Sequence, residues 1–178
     1  MTRTSEAPCS PSVISDLFNR EFEITESTVL VGGGEEPFFA PGQPSRIVFR
    51  ADYVRSALHE VSHWCVAGAH RRRLPDYGYW YSPEGRSSEA QRAFFALEAR
   101  PQAIEAIFCG ALGIRFAPSI DNVGADLCDA ELEVFSRRIC QWRDQFFSGG
   151  LPSRAERFRK ALLACEWDRS NSDVATTA

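Results

Sequence analysis

A chain of 178 residues with 44% apolar and 12% aromatic content is long enough for one compact domain and too short for two comfortable ones. Its formal charge of −4 counts against a broad phosphate-binding surface, so no direct nucleic-acid partner is expected. No stretch approaches the ~18 apolar residues of a membrane span, and the opening MTRTSEAPCSPS lacks the basic head and apolar middle of a secretory leader, which makes a cytoplasmic protein the expectation.

Residues 1–12 are polar and expected to be disordered, 13–167 to form a single domain, and 168–178 to be a disordered tail. In PSVISDLFNREF, Val13, Ile14, Leu17, Phe18 and Phe22 recur at three- and four-residue steps, the pattern of an amphipathic helix. STVLVGGG and SRIVFR are short β-branched runs bounded by Gly, Pro and Ser, and EEPFFAP between them suits a third, proline-flanked strand. The triplet Gly32 to Gly34 is not followed by Lys-Ser/Thr, and Glu35 and Glu36 would repel an anion, so a plain turn is expected there rather than a phosphate loop. From Tyr53 the spacing becomes helical, with Gly68 as a stop.

SSEAQRAFFALEARPQAIEAIFCGALG reads as two helices divided at Arg100, with Ser88 and Gln91 as a capping box for the first and Pro101 in the first turn of the second. DAELEVFSRRICQWRDQFFSGG and PSRAERFRKALLACEW supply two more helices. The fold class is therefore α+β, a small sheet surrounded by helices. Six cysteines without a CxxC pair, several in apolar helical patterns, are expected to be reduced and inert.

The segment SALHEVSHWCVAG holds His59 and His63, two of the three histidines, in an HExxH pattern. At about 100° per residue, Val54, Leu58, Val61 and Cys65 share an arc of ~60° and the two histidines lie opposite it. Imidazoles one turn apart and off the core stripe can reach one ion. Two neutral imidazoles make a weak site, so a third ligand is needed, and a carboxylate would offset the charge of the cation. His70, Glu89, Glu98, Glu105 and Asp121 are candidates; His70 lies past Gly68, where HRRR reads as cations at a helix C-terminus. Glu98, in the last turn of the next predicted helix, is preferred.

With zinc, such a site is a metallopeptidase in which Glu60 takes a proton from the attacking water. With Fe(II), two histidines and a carboxylate leave positions for dioxygen and substrate. The spacing alone does not choose between them. DYGYWYSPEGR clusters Tyr77, Tyr79, Trp80 and Tyr81 with Asp76, Glu84 and Arg86; rings can flank a long cationic side chain while an acid meets its charge, and packing plus a turn explains the cluster equally well. Arg71 to Arg73 could steer an acidic partner, although dipole compensation accounts for them too.

HEVSHWCVAG, DYGYWYSPEGR and LEARPQAIEAIFC, with RIVF before them and LPSRAERFRKAL after, together resemble the bacterial elongation factor P hydroxylase family, from about Val13 to Trp167. The resemblance implies a cytoplasmic enzyme that hydroxylates the β-lysylated lysine of translation elongation factor P. It implies a fold similar to a bacterial metal-dependent ribonuclease and a two-histidine, one-carboxylate site, carried over to His59, His63 and Glu98. Glu60 matches as a group that orients a ligand from behind or handles a proton. Fe(II) and dioxygen are the expected cofactors, with zinc or another divalent ion as the alternative and any organic co-substrate undetermined. Asp76, Tyr79, Trp80 and Arg86 are the candidate substrate-binding residues. The zinc peptidase remains the runner-up, and the ribonuclease-like fold that the resemblance implies suggests a third reading, a metal-stabilised binding module or a hydrolytic nuclease, the nuclease being disfavoured by the acidic charge.

Overall fold

A computed structural model describes residues 10–50, 53–79, 87–120 and 129–165. The chain opens with α1 (Pro11–Glu26). The Ser10 hydroxyl caps it by accepting from the Val13 N–H, and Pro11 sits where a missing donor costs nothing, so the helix starts two residues before Val13. Ile14, Leu17, Phe18 and Phe22 form its buried stripe, and Ser27, in the left-handed region at φ 46°, ends it.

Three strands follow: β1 (Thr28–Gly34), β2 (Phe38–Ala40) and β3 (Ser45–Arg50). Their spatial order is β1-β3-β2, with β1 parallel and β2 antiparallel to β3. The middle strand is buried continuously at Ile47, Val48 and Phe49, as a strand covered on both faces must be. The open edge of β1 is met by Asn19 of α1, whose Oδ1 accepts from the Leu30 N–H at 2.7 Å. The glycine triplet is the end of β1 and not a plain turn: the register with β3 shifts between Val31 and Gly34. Side chains would collide there, since a Cβ on Gly34 would lie 2.6 Å from Val48 Cγ1 and one on Gly32 would lie 2.7 Å from Phe49 Cζ.

Helix α2 (Val54–Val66) carries the two histidines and ends two residues before the expected Gly68. The cation at its C-terminus comes from elsewhere in the chain. Arg154 Nη2 donates to the carbonyls of Trp64, Cys65 and Ala67 at 2.9, 3.2 and 2.6 Å. Two short 3-10 turns, Arg71–Arg73 and Pro75–Gly78, lead away from α2.

The two helices expected on either side of Arg100 are one, α3 (Ser88–Ala111), with Pro101 in its interior. Pro101 has no N–H to give the Leu97 carbonyl, so the ladder loses one bond. The helix continues because Phe94, Phe95 and Ala99 before the proline and Ala103, Ile104 and Phe108 after it are buried in the same core. Ser87 caps α3 through Ala90 N–H, one residue ahead of the expected Ser88. Helix α4 (Asp129–Gly149) lies on α3, where Phe135 stacks on Phe95 at 4.2 Å, and α5 (Ser153–Ala164) closes the far side.

Trp64 is the hub. Its ring meets Phe18 and Phe22 of α1 edge-on at 5.1 and 4.9 Å, and Phe158 of α5 bridges Phe18 and Phe108. The architecture is α+β, a small sheet with helices around it. No helix among the described residues is long and apolar enough to cross a membrane. Residues 1–9 and 166–178, Trp80, Arg86, Asp121, Cys9 and Cys128 lie outside the described residues. Burial pushes the thiols of Cys65 and Cys109 up to about 12, which keeps both protonated and unreactive.

Candidate metal centre

Helix α2 turns one face to the core through Val54, Ala57, Leu58, Val61, Trp64 and Cys65. The remaining stripe, Arg55, His59 and His63, faces α3. Arg55 pairs with Glu105, His59 with Glu105 and Glu98, and His63 with Glu98. The partners descend along α3 as they ascend along α2, so the two helices run antiparallel with their polar stripes in register.

His59 Nε2 and His63 Nε2 are 3.1 Å apart. Glu98 Oε1 lies 3.2 Å from His63 Nε2, and Oε2 lies 3.7 Å from His59 Nε2. One atom from each of the three residues can be chosen so that all lie within 4.8 Å of one another. Two imidazole nitrogens and one buried carboxylate oxygen fit a divalent transition ion, and only three of the coordination positions of such an ion would be taken.

Two of the three candidate ligands, His59 and Glu98, are held from behind. His59 Nδ1 donates to Glu105 Oε2 at 2.9 Å, which turns Nε2 toward the shared point. Glu105 is anchored by Arg55, which also donates to the Ala117 carbonyl at 2.7 Å. Gln102 donates to Glu98 Oε2 at 3.3 Å and to the Ser119 carbonyl at 2.8 Å, and its own oxygen accepts from the Ser119 N–H at 3.0 Å. The segment after α3 is thereby tied to both acids of the site.

Without a metal, the site is an ion-pair cluster. Burial alone would pull the His59 imidazolium down, but the Glu105 hydrogen bond and the charges of Glu105 and Glu98 hold it up at about 10. Burial pushes the Glu98 carboxyl up, yet His63, His59 and Gln102 outweigh it and keep it at about 2. Burial also raises Glu60 above its ordinary value, against the lowering effect of the two histidines.

The ligand atoms open onto a pocket of about 270 Å³. Glu60 and Asp76 line it beside the ligands, Tyr79 and Phe94 form walls, and Phe38 and Leu97 stand exposed at its edge. Among the sequence candidates, Asp76 and Tyr79 reach this pocket, and Trp80 and Arg86 lie outside the described residues. Asp76 also serves the fold, because its Oδ1 accepts from the Phe39 N–H at 2.8 Å. Asp76 and Tyr77 both sit in the left-handed region, at φ 46° and 58°, a strained pair held in place by that bond and by the Tyr77 ring stacked on Phe39 at 4.4 Å.

His70 is exposed beyond the end of α2, and Glu89 is exposed in the first turn of α3, so neither joins the three ligands. The arginine run is partly committed to the fold. Arg72 pairs with Glu26 at 2.8 Å, and Arg71 lies over the Tyr79 ring at 4.4 Å and donates to the Tyr77 carbonyl. Sequence reasoning missed Arg55 and Gln102 altogether and weighed Glu105 only as a ligand. The signal was present, because Gln91, Glu98, Gln102 and Glu105 recur at helical spacing as one polar stripe, and all four are buried.

Residues 17–175 match the family model described as elongation factor P hydroxylase. A relative from Haemophilus influenzae (strain ATCC 51907 / DSM 11121 / KW20 / Rd), named elongation factor P lysine hydroxylase, is 43% identical over 152 residues, which is 83% of this chain and 84% of the relative.

Proposed function

This chain belongs to the elongation factor P hydroxylase family, and from that premise we propose that it hydroxylates the β-lysylated lysine of translation elongation factor P, in the cytoplasm, at a mononuclear non-haem iron(II) centre. The observation that carries the reading is the convergence of His59, His63 and Glu98 at the floor of a pocket edged by carboxylates. The scaffold is read as the ribonuclease-like fold that the family resemblance implies, a likeness of architecture and not of reaction. Residues 13–167 are read as one catalytic domain.

Bound iron(II) would supply dioxygen activation, with a reductant or organic co-substrate providing the electrons. The residues of the chain do the rest. His59, His63 and Glu98 hold the ion and leave positions toward the pocket. Asp76 and Glu60 give the pocket the charge that suits an ammonium, and the Tyr79 and Phe94 rings suit the methylenes of an extended lysyl chain. Glu60 lines the pocket without joining the three ligands, which fits a proton-handling role at the substrate. Trp80 and Arg86 are assigned to substrate binding on the sequence pattern. The peptidase alternative has no support from the family or from the named relative.

The test is anaerobic reconstitution with iron(II) and a reductant, exposure to oxygen with β-lysylated elongation factor P, and intact-mass measurement of the substrate. A gain of one oxygen atom, ~16 Da, that disappears in His63→Ala is expected. No gain, together with peptide cleavage under zinc, would replace the hydroxylase by the peptidase.

A further inference from the structure

Both oxygens of the buried Glu105 carboxylate are in use, one toward Arg55 and the other toward His59. Oε1 accepts from Arg55 Nε and Nη2 at 3.1 and 2.7 Å, and Oε2 lies 2.9 Å from His59 Nδ1. A guanidinium can only donate, so whatever atom faces Arg55 must accept. A carboxylate accepts at both ends, so the atom facing it on the histidine side must donate. That atom is Nδ1, and with a proton fixed there Nε2, which faces Glu98 and His63, is the nitrogen left to ligate an ion.

We propose that Arg55 and Glu105 act together as a polarity lock that keeps the Nδ1 proton on His59 and so keeps Nε2 available as a ligand. The inference rests on the reading of His59 as a metal ligand. Arg55 is a positioning residue here, acting through Glu105 and touching neither the ion nor the substrate.

The lock has a consequence that plain packing does not share. An amide at position 105 has one accepting oxygen and one donating nitrogen. Arg55 claims the oxygen, which turns the NH2 group toward His59 Nδ1, where it needs an acceptor. That selects the tautomer protonated on Nε2, which cannot ligate. Taking away the Arg55 donors frees the amide to turn its oxygen to Nδ1 and restore the ligating tautomer. A second substitution, one that removes further hydrogen bonds, therefore improves metal binding.

The experiment is a cobalt(II) titration of the full chain, in competition with a chromophoric chelator, for wild type, Glu105→Gln and Arg55→Met/Glu105→Gln. Thermal melts of the metal-free proteins verify that each is folded. Glu105→Gln is expected to bind ~10–100-fold more weakly than wild type. The double variant is expected to recover at least ~5-fold over Glu105→Gln although it melts lower. A double variant that binds no better than Glu105→Gln overturns the lock. So does a Glu105→Gln protein that binds as tightly as wild type.

A wild-type protein that takes up no cobalt(II) overturns the metal-site reading first and the lock with it. Ring 15N resonances of wild-type protein loaded with zinc(II) give a reading that needs no variant. A protonated Nδ1 on His59 with the ion on Nε2 is expected, and the reverse arrangement overturns the proposal.

Discussion

Helix α2 is flanked by two charged clusters, one half-buried and one built on buried acids, that are made in opposite senses. At its C-terminus, Arg72 and Arg154 share a single acid, Glu26, at 2.8 and 3.9 Å. The surplus positive charge there is absorbed by the protein itself. Three helix carbonyls accept from Arg154, and both guanidiniums lie over the Trp64 ring, at 5.8 and 4.6 Å. Along the side of the same helix, Glu60, Glu98 and Glu105 stand around the two histidines, and the one guanidinium there, that of Arg55, pairs with Glu105. The surplus negative charge is met by imidazoles, and in the metal-free protein the proton on His59 compensates it. A structural cluster closes with groups that cannot leave. The candidate metal centre closes with a proton that a metal ion can displace.

If that contrast holds, substitutions on the two sides of α2 separate function from stability. The largest effect belongs to Glu98→Ala, which removes the candidate anionic ligand. Cobalt(II) affinity should fall by more than ~100-fold and hydroxylation of elongation factor P should become undetectable. Unchanged cobalt(II) affinity would take Glu98 out of the ligand set. Next is Glu60→Gln, which keeps the shape of a group that lines the pocket without ligating. Turnover should fall about 10²-fold while cobalt(II) affinity stays within ~3-fold of wild type. An affinity loss as deep as that of Glu98→Ala would instead make Glu60 a ligand.

Arg154→Ala tests the opposite side. It strands the last carbonyls of α2 without their cation and leaves Glu26 and the Trp64 ring to Arg72 alone, which should cost about 2–4 kcal/mol and lower the melting temperature by ~5–15 °C. Cobalt(II) affinity measured well below that temperature should stay within ~2-fold, because no ligand or ligand support touches Arg154. A large loss of metal affinity in this variant would mean that the two clusters are coupled through α2.

Much of the site was legible because its signal is local. His59 and His63 sit one turn apart off an apolar stripe, and Glu98 was preferred among five candidates for its place in a neighbouring predicted helix and for the family resemblance. The strands were legible for the same reason, since β-branched runs between Gly and Pro need no distant partner to be recognised. Signals that depend on a distant partner were lost. Arg55 and Glu105 are 50 positions apart, and nothing near either one indicates that they meet. The cation that caps α2 comes from α5, so the adjacent Arg71 to Arg73 run was a misleading candidate. Pro101 reads as a helix boundary on propensity alone, and only packing on both sides of it makes α3 continuous. The glycine triplet reads as a turn until β3 is laid beside it and the crowding by Val48 and Phe49 emerges.

The smallest effect, and the one that sharpens the comparison most finely, is expected at the edge of the pocket. Leu97 is 54% exposed, one residue before the candidate ligand Glu98, so it contributes little to the core and is placed to touch whatever enters. Leu97→Ser should leave stability within ~0.5 kcal/mol and cobalt(II) affinity unaltered. If the exposed leucine receives apolar surface of the protein substrate, KM for β-lysylated elongation factor P should rise ~3–10-fold with kcat within ~2-fold, the signature of binding lost equally in ground and transition states. A fall in kcat with KM unchanged would place Leu97 in the positioning of the reacting carbon. No change in either constant would mean that the protein substrate docks away from this edge and that only its side chain enters the pocket.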